Sequence, residues 1–200
     1  MGIRRAPRAA LIGIATVGVL VAGYGSAVGA GESSGDEHRA PLAGQGTAAK
    51  AGASDEDAYQ STLKLSDGRT VHVRLVKGTG VQERHQAAGA TTWSKWHTLY
   101  RTTTDRCQGV DLAEVNGTVS LIADFGRYCS DGEPPTESIA GVAQGKLSDW
   151  DINVTKDFDG WEDTSINDDG SRVLFLYNSD AGLYYLRWEQ SEGFEKVVTP

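Results

Sequence analysis

The sequence predicts an all-β domain built from antiparallel hairpins, and two local patterns lead to this class. Apolar and polar side chains alternate in several short runs, as in 71–75, where Val, His, Val, Arg and Leu follow one another. Glycine-bearing corners separate such runs, at Asp67-Gly68, Asn116-Gly117 and Asp169-Gly170. A period of two is typical of half-buried strands, and Asp-Gly or Asn-Gly between two such runs is typical of type I′ hairpin turns.

The same criteria predict strands from residue 61 to the end of the chain. In order, the predicted strands cover 61–65, 71–75, 110–112, 119–122, 171–177, 183–188 and 194–198. Helical apolar spacing is not sustained after Ala58; the best local candidate, 137–143, is short and interrupted by glycine. The folded part is therefore expected to be made of strands.

The corners recur at a nearly constant interval. Gly68, Gly117 and Gly170 are separated by 49 and 53 residues, and Trp96 and Trp150 precede the second and third of them by 21 and 20 residues. The spacing of the glycines and the position of the tryptophans before them agree, and this agreement predicts an internal repeat of about 50 residues made of short strands. The repeat also predicts that Trp96 and Trp150 occupy equivalent positions in the core.

The last unit carries a more specific pattern. In 164–176, a serine (Ser165) precedes an Asp-Gly turn, a basic residue (Arg172) follows it, and an apolar strand leads to a second hairpin through Trp188. This segment resembles the WD40-like repeat of TolB-type β-propellers, although Asn167-Asp168 stands where that family commonly has proline. The resemblance implies blade-like sheets and no catalytic residues. Closed propellers need 4–8 blades, so we expect a small sandwich-like or partial-propeller domain.

Three regions follow one another along the chain. Residues 1–30 combine a cationic start, an uncharged apolar run and small residues, which is typical of a secretory signal peptide cleaved after Ala27 or Ala30. An uncleaved anchor is the alternative. Residues 31–57 are rich in Gly, Ala, Ser and charge, and predict a disordered tether. The all-β domain is expected over 58–200, in a secreted, extracellular protein.

Composition excludes several classes. With 19 basic and 27 acidic side chains the formal charge is −8, which disfavours nucleic acid and membrane surfaces as partners. Two cysteines and four histidines are too few for a zinc ribbon or an iron–sulfur cluster. In an oxidising compartment Cys107 and Cys129, 22 positions apart, are expected to form one disulfide. A redox-active pair is the alternative reading of these two residues.

Two groups of candidate site residues remain. Asp157, Asp159 and Asp163 lie in the acidic tract 149–169 and would suit calcium, the one cofactor the sequence suggests. Trp93 and Trp161 are candidate contacts for a ligand, because aromatic faces stack on sugars and anchor protein partners. The predicted function is a non-catalytic binding or envelope-associated module for an unknown extracellular protein or carbohydrate. The alternative is a small secreted glycosidase-like hydrolase using the acidic tract.

Overall fold

The computed structural model describes residues 58–195 and a two-residue strand at 49–50. The predicted signal peptide, the rest of the predicted tether and residues 196–200 lie outside the described residues. Thirteen strands and one 3-10 helix, Cys129–Asp131, are described. The strands are β1 Ala49–Lys50, β2 Gln60–Lys64, β3 Thr70–Val76, β4 Gly80–Gln86, β5 His97–Tyr100, β6 Asp105–Val115, β7 Thr118–Gly126, β8 Glu137–Gln144, β9 Trp150–Lys156, β10 Asp163–Ile166, β11 Arg172–Ser179, β12 Gly182–Glu189 and β13 Gly193–Phe194.

The strands form three antiparallel sheets that follow one another along the chain. We call β2–β5 the first sheet, β6–β9 with the short β1 at its edge the second sheet, and β10–β13 the third sheet. Within each sheet, strands adjacent in sequence are adjacent in space. The all-β prediction is confirmed, and within each sheet a strand pairs with the next strand along the chain, as sequential elements commonly do.

The second sheet lies between the other two. One core cluster joins the first and second sheets through side chains such as Val73 and Phe125, and another joins the second and third sheets through side chains such as Ile122 and Phe175. All nine residues of β7 are buried, because both of its faces are covered. In β3, by contrast, only every second residue is buried, so that its other side chains form the outer face of the first sheet.

The 50-residue repeat corresponds to one sheet per unit. Gly68, Gly117 and Gly170 each lie in the first hairpin of their sheet, with φ angles of +87°, +81° and +73°. Two of these turns share a further contact: the Asp67 and Asp169 side chains each accept a hydrogen bond from the backbone N–H two residues later. The type I′ prediction holds only at Asn116-Gly117, where both residues have positive φ. The other two corners are five-residue loops in which only the glycine has a positive φ.

Two local expectations differ from the structure. The segment 137–143, considered as a helix, lies in β8; its apolar side chains do not alternate with polar ones because both faces of the second sheet are covered. Ala49 and Lys50, assigned to the tether, pair with Glu114 and Ala113 of β6. Among the described residues, no helix is long and apolar enough to cross a membrane.

Alanine at Gly170 is expected to destabilise the protein more than alanine at Gly117. Both glycines have positive φ, which costs an L-residue about 1 kcal/mol. At Gly170 a Cβ would also lie 2.7 Å from Thr118 Oγ1 and 3.0 Å from the Val115 carbonyl oxygen, whereas at Gly117 the nearest atom is 4.0 Å away. We expect losses of roughly 2–3 and 1 kcal/mol respectively, measured by chemical denaturation. Equal losses would contradict the assigned contact between the second and third sheets.

Candidate functional site

The structure separates the two tryptophans predicted to contact a ligand. Trp161 is only 2 % exposed and packs in the core between the second and third sheets, where its ring lies 4.6 Å from that of Phe158. It has no accessible face, so this part of the prediction is wrong. Trp93 is half-buried and lies on the outer face of the first sheet.

The three aspartates proposed for calcium do not form a cation site. Asp159 accepts a hydrogen bond from the Tyr177 hydroxyl, which raises the pKa of Tyr177 to about 12, and Asp163 accepts one from the Thr164 backbone N–H. Within 58–195, no group of three or more His, Cys, Asp or Glu side chains is arranged to hold a metal ion. The described residues therefore lend no support to the calcium prediction on Asp157, Asp159 and Asp163.

Cys107 and Cys129 form a disulfide with a Cα–Cα distance of 5.4 Å. Cys107 lies near the start of β6 and Cys129 follows β7, so the bond joins the open end of the hairpin that turns at Asn116-Gly117. Gly126 makes room for it, since a Cβ there would lie 2.6 Å from the Cys129 sulfur. The predicted pairing is confirmed.

The outer face of the first sheet carries an alternating stack of aromatic and cationic side chains. The guanidinium carbon of Arg84 lies 4.7 Å from the ring centroid of Trp93 and 4.5 Å from that of Trp96, and the guanidinium carbon of Arg74 lies 3.8 Å from the Trp96 ring. The order is Trp93, Arg84, Trp96, Arg74. We call these four residues, together with His72, the Trp–Arg face.

His72 contacts both tryptophans of this stack. Its ring contacts both tryptophans edge-on, at centroid distances of 5.7 Å from Trp93 and 5.1 Å from Trp96. Its Nδ1 accepts hydrogen bonds from Arg84, and its Nε2 donates to Gln60 Oε1. Burial and the charges of Arg84 and Arg74 lower the pKa of His72. The neutral imidazole is thus favoured, as an acceptor at Nδ1 requires.

The sheet that carries this face has no outward-facing carboxylate. Strands β2–β5 contain one acidic residue, Glu83, whose side chain is fully buried on the inner side and hydrogen-bonds to His85. Burial raises the pKa of Glu83, against the opposing effect of His85. The outward-facing charges of these strands are therefore cationic.

Trp96 corrects the packing expected from the repeat. Trp96 immediately precedes β5 and Trp150 begins β9, so both stand at the start of the fourth strand of their sheets. Trp150 packs against the core between the first and second sheets, but Trp96 lies on the Trp–Arg face. Only the second sheet has a neighbour on each side, so equivalent positions meet different surroundings.

The distribution of charge along the sequence marks this face. Residues 58–104 have seven Lys or Arg and two Asp or Glu, whereas residues 105–195 have six and nineteen. Averaging the charge over the chain concealed a basic first sheet beside an acidic remainder. Asymmetry of this kind predicts a surface for an anionic partner.

A basic cleft adjoins one end of the Trp–Arg face. It encloses about 400 Å³ and is lined by Arg74 together with Tyr59, Gln60, Leu75, Val76, Lys77 and Arg106. Arg106 stacks on the Tyr59 ring at 4.1 Å, and Lys77 pairs with Asp105. Arg74 belongs to both features, so the cleft continues the cationic surface.

Comparison of the chain with protein-family models, curated proteins and solved structures finds no match. The candidate site therefore depends on the geometry of the described residues. That geometry combines flat aromatic rings, guanidinium groups stacked on them and a neighbouring cleft.

Proposed function

We propose that the protein is an exported, non-catalytic binding module whose ligand contacts the Trp–Arg face. The observation that carries this proposal is that Trp93 and Trp96 are stacked with two guanidinium groups on a face without outward carboxylates. Trp and Arg, with Tyr, are enriched at energetically dominant contacts. Export is proposed from the sequence of residues 1–30, and the disulfide is compatible with it.

We also propose that the three sheets are blade-like units related to those of β-propellers, as the resemblance of 164–188 suggests. Support comes from four antiparallel strands per unit and from a positive-φ glycine in each first hairpin. In the described part of the chain, three units leave the outer faces of the first and third sheets uncovered by another sheet. This arrangement leaves the Trp–Arg face accessible to a ligand.

Alanine at Trp93 is expected to weaken binding at least 10-fold. The experiment measures retention of the secreted chain on immobilised extracellular polymers, neutral and acidic polysaccharides and unrelated proteins, with Trp93→Ala beside the wild type. Loss of an aromatic anchor at the centre of a contact commonly costs this much. Tyr128→Ala is the matched control, because Tyr128 is a 62 % exposed aromatic residue outside the Trp–Arg face.

The proposal requires that at least one polymer retains the wild type and the Tyr128 variant but not the Trp93 variant. Circular dichroism and a thermal melt check that both variants are folded. If none of the polymers retains the wild type, or both variants bind alike, the Trp–Arg face is not the binding surface and the proposal fails.

A further inference from the structure

We propose that the ligand of the Trp–Arg face is an acidic polysaccharide, whose carboxylate or sulfate groups bind Arg74 and Arg84 while a sugar ring packs on Trp93. This inference rests on the proposed function and names the class of its ligand. Three observations support it: the two guanidinium groups have no carboxylate partner, the stack holds them in place, and the rest of the domain is acidic.

The two guanidinium groups are available to an anion. Arg74 donates through Nε and Nη2 to Gln82 Oε1, and Arg84 donates through the same two nitrogens to His72. In the described chain neither forms an ion pair, and Nη1 of each has no hydrogen-bond partner. Arginines elsewhere differ: Arg172 pairs with Glu189 and Arg187 with Glu195. The Trp–Arg face thus holds cations that lack counter-charges.

The stack fixes these cations in place before a ligand arrives. A free arginine side chain loses rotamer entropy when it binds, which weakens affinity. Here Arg84 is held between two indole rings and is also hydrogen-bonded, so most of that loss has occurred on folding. Planar guanidinium groups match carboxylate and sulfate oxygens, and indole rings match the apolar faces of sugars.

The cleft beside Arg74 indicates a ligand longer than one sugar. Arg106 lines it with Arg74, and Lys77, which pairs with Asp105, lies beside them, so a chain crossing the Trp–Arg face would next meet Arg106. A linear polymer of acidic sugars can contact both features at once. A small anion would use only one of them.

Charge outside the first sheet favours a polysaccharide over a nucleic acid. Residues 105–195 carry thirteen more acidic than basic side chains. Duplex DNA has one charge per ~1.7 Å of its axis and is stiff, so it would bring many phosphates within a Debye length of these acids. An acidic polysaccharide has at most about one or two charges per sugar and can follow the basic surface alone.

Isothermal titration of the wild type with an oligogalacturonate, a sulfated oligosaccharide, a neutral maltooligosaccharide and a short DNA duplex tests the inference. We expect binding of at least one acidic sugar and about 10-fold or greater loss of affinity in Arg84→Gln and in Arg74→Gln. Arg84→Lys should lose less, because it keeps the charge. Arg172→Gln, on the third sheet, is the matched control and should bind as the wild type does.

A second readout reports the contact itself. Burial, and after it the charge of Arg84, lowers the pKa of His72. A carboxylate or sulfate at Arg84 offsets the second of these effects, so the acidic sugar should raise the pKa of His72 in an NMR titration relative to the neutral sugar. The carboxylated and sulfated probes distinguish the two kinds of anionic group.

The outcomes separate the inference from the proposed function. If the neutral sugar binds as tightly as the acidic sugars and Trp93→Ala abolishes that binding, the proposed binding function stands and the acidic ligand is overturned. Tighter binding of DNA would overturn it as well. A dimer that dissociates in Arg84→Gln would show that the face binds the acidic surface of a second copy. Absence of any binding that depends on this face would overturn both proposals.

Discussion

Asp124→Asn is expected to raise the free energy of unfolding by up to about 4 kcal/mol at pH 8 and to leave it almost unchanged at pH 4. Asp124 lies on β7, is 2 % exposed, and has one oxygen, Oδ1, without a hydrogen-bond partner. Burial raises its pKa from 3.8 to about 7, opposed by a hydrogen bond from Ser138. Gly160 covers the carboxyl, since a Cβ there would lie 3.2 Å from Oδ1.

The direction of the pH effect follows from the raised pKa. Between pH ~4 and ~7 the folded protein keeps the Asp124 proton that the unfolded chain has lost, so the free energy of unfolding falls as the pH rises through this range. Above the pKa of Asp124 in the folded protein, the free energy of unfolding falls no further on account of this group. Asparagine cannot ionise and should remove this contribution.

Chemical denaturation of both proteins from pH 4 to 8.5 measures the difference. Glu83, whose pKa is also raised, contributes equally to the pH dependence of both proteins, so its contribution cancels in the difference between them. Asp180→Asn is the control, because Asp180 is exposed in the turn between β11 and β12, and should change stability by less than about 0.5 kcal/mol. A difference between wild type and Asp124→Asn that does not vary with pH would refute the assignment.

Replacing both cysteines with serine is expected to lower the free energy of unfolding by about 3 kcal/mol and the melting temperature by roughly 10 °C. The disulfide between Cys107 and Cys129 closes a loop over 22 positions and joins the open end of the β6–β7 hairpin. Loss of the disulfide raises the conformational entropy of the unfolded chain and removes the covalent link between β6 and the segment after β7.

Thermal melts with and without a thiol reductant check this prediction. The wild type should approach the double-serine variant once reduced, and the variant should not respond to the reductant. Because the Trp–Arg face belongs to the first sheet, binding at temperatures well below the melt should persist in the variant. A stability loss below 1 kcal/mol would mean that packing alone holds β6 and β7 together.

Pairing and turns could be predicted because they depend on neighbouring residues. Asn116-Gly117 directs a two-residue turn since both residues accept positive φ, and the alternation in β3 defines its two faces. The segment in β8 could not be assigned in this way. A strand with both faces covered shows a continuous apolar run, which has no period of two.

The candidate site could be predicted only in part. Trp93, a candidate ligand contact, lies half-buried on the outer face of the first sheet, but Trp161, with the same chemistry, is buried. Which tryptophan is accessible depends on whether another sheet covers it, and neither residue type nor spacing records that. Arg74 and Arg84 were missed because the net charge of the whole chain hides their local excess.

By itself the sequence determined the all-β class, the three glycine-bearing corners and the disulfide partners, because each depends on local backbone sterics or on composition. It did not indicate the strands β4, β5, β8, β9 and β10. Only the tertiary structure decided which faces are covered. Packing brings together residues dozens of positions apart, and that contact gives Asp124 its raised pKa, buries Trp161 and leaves the Trp–Arg face accessible. Whether a side chain is buried depends on the segment that packs against it as well as on its own segment, so the pattern within one segment does not predict it.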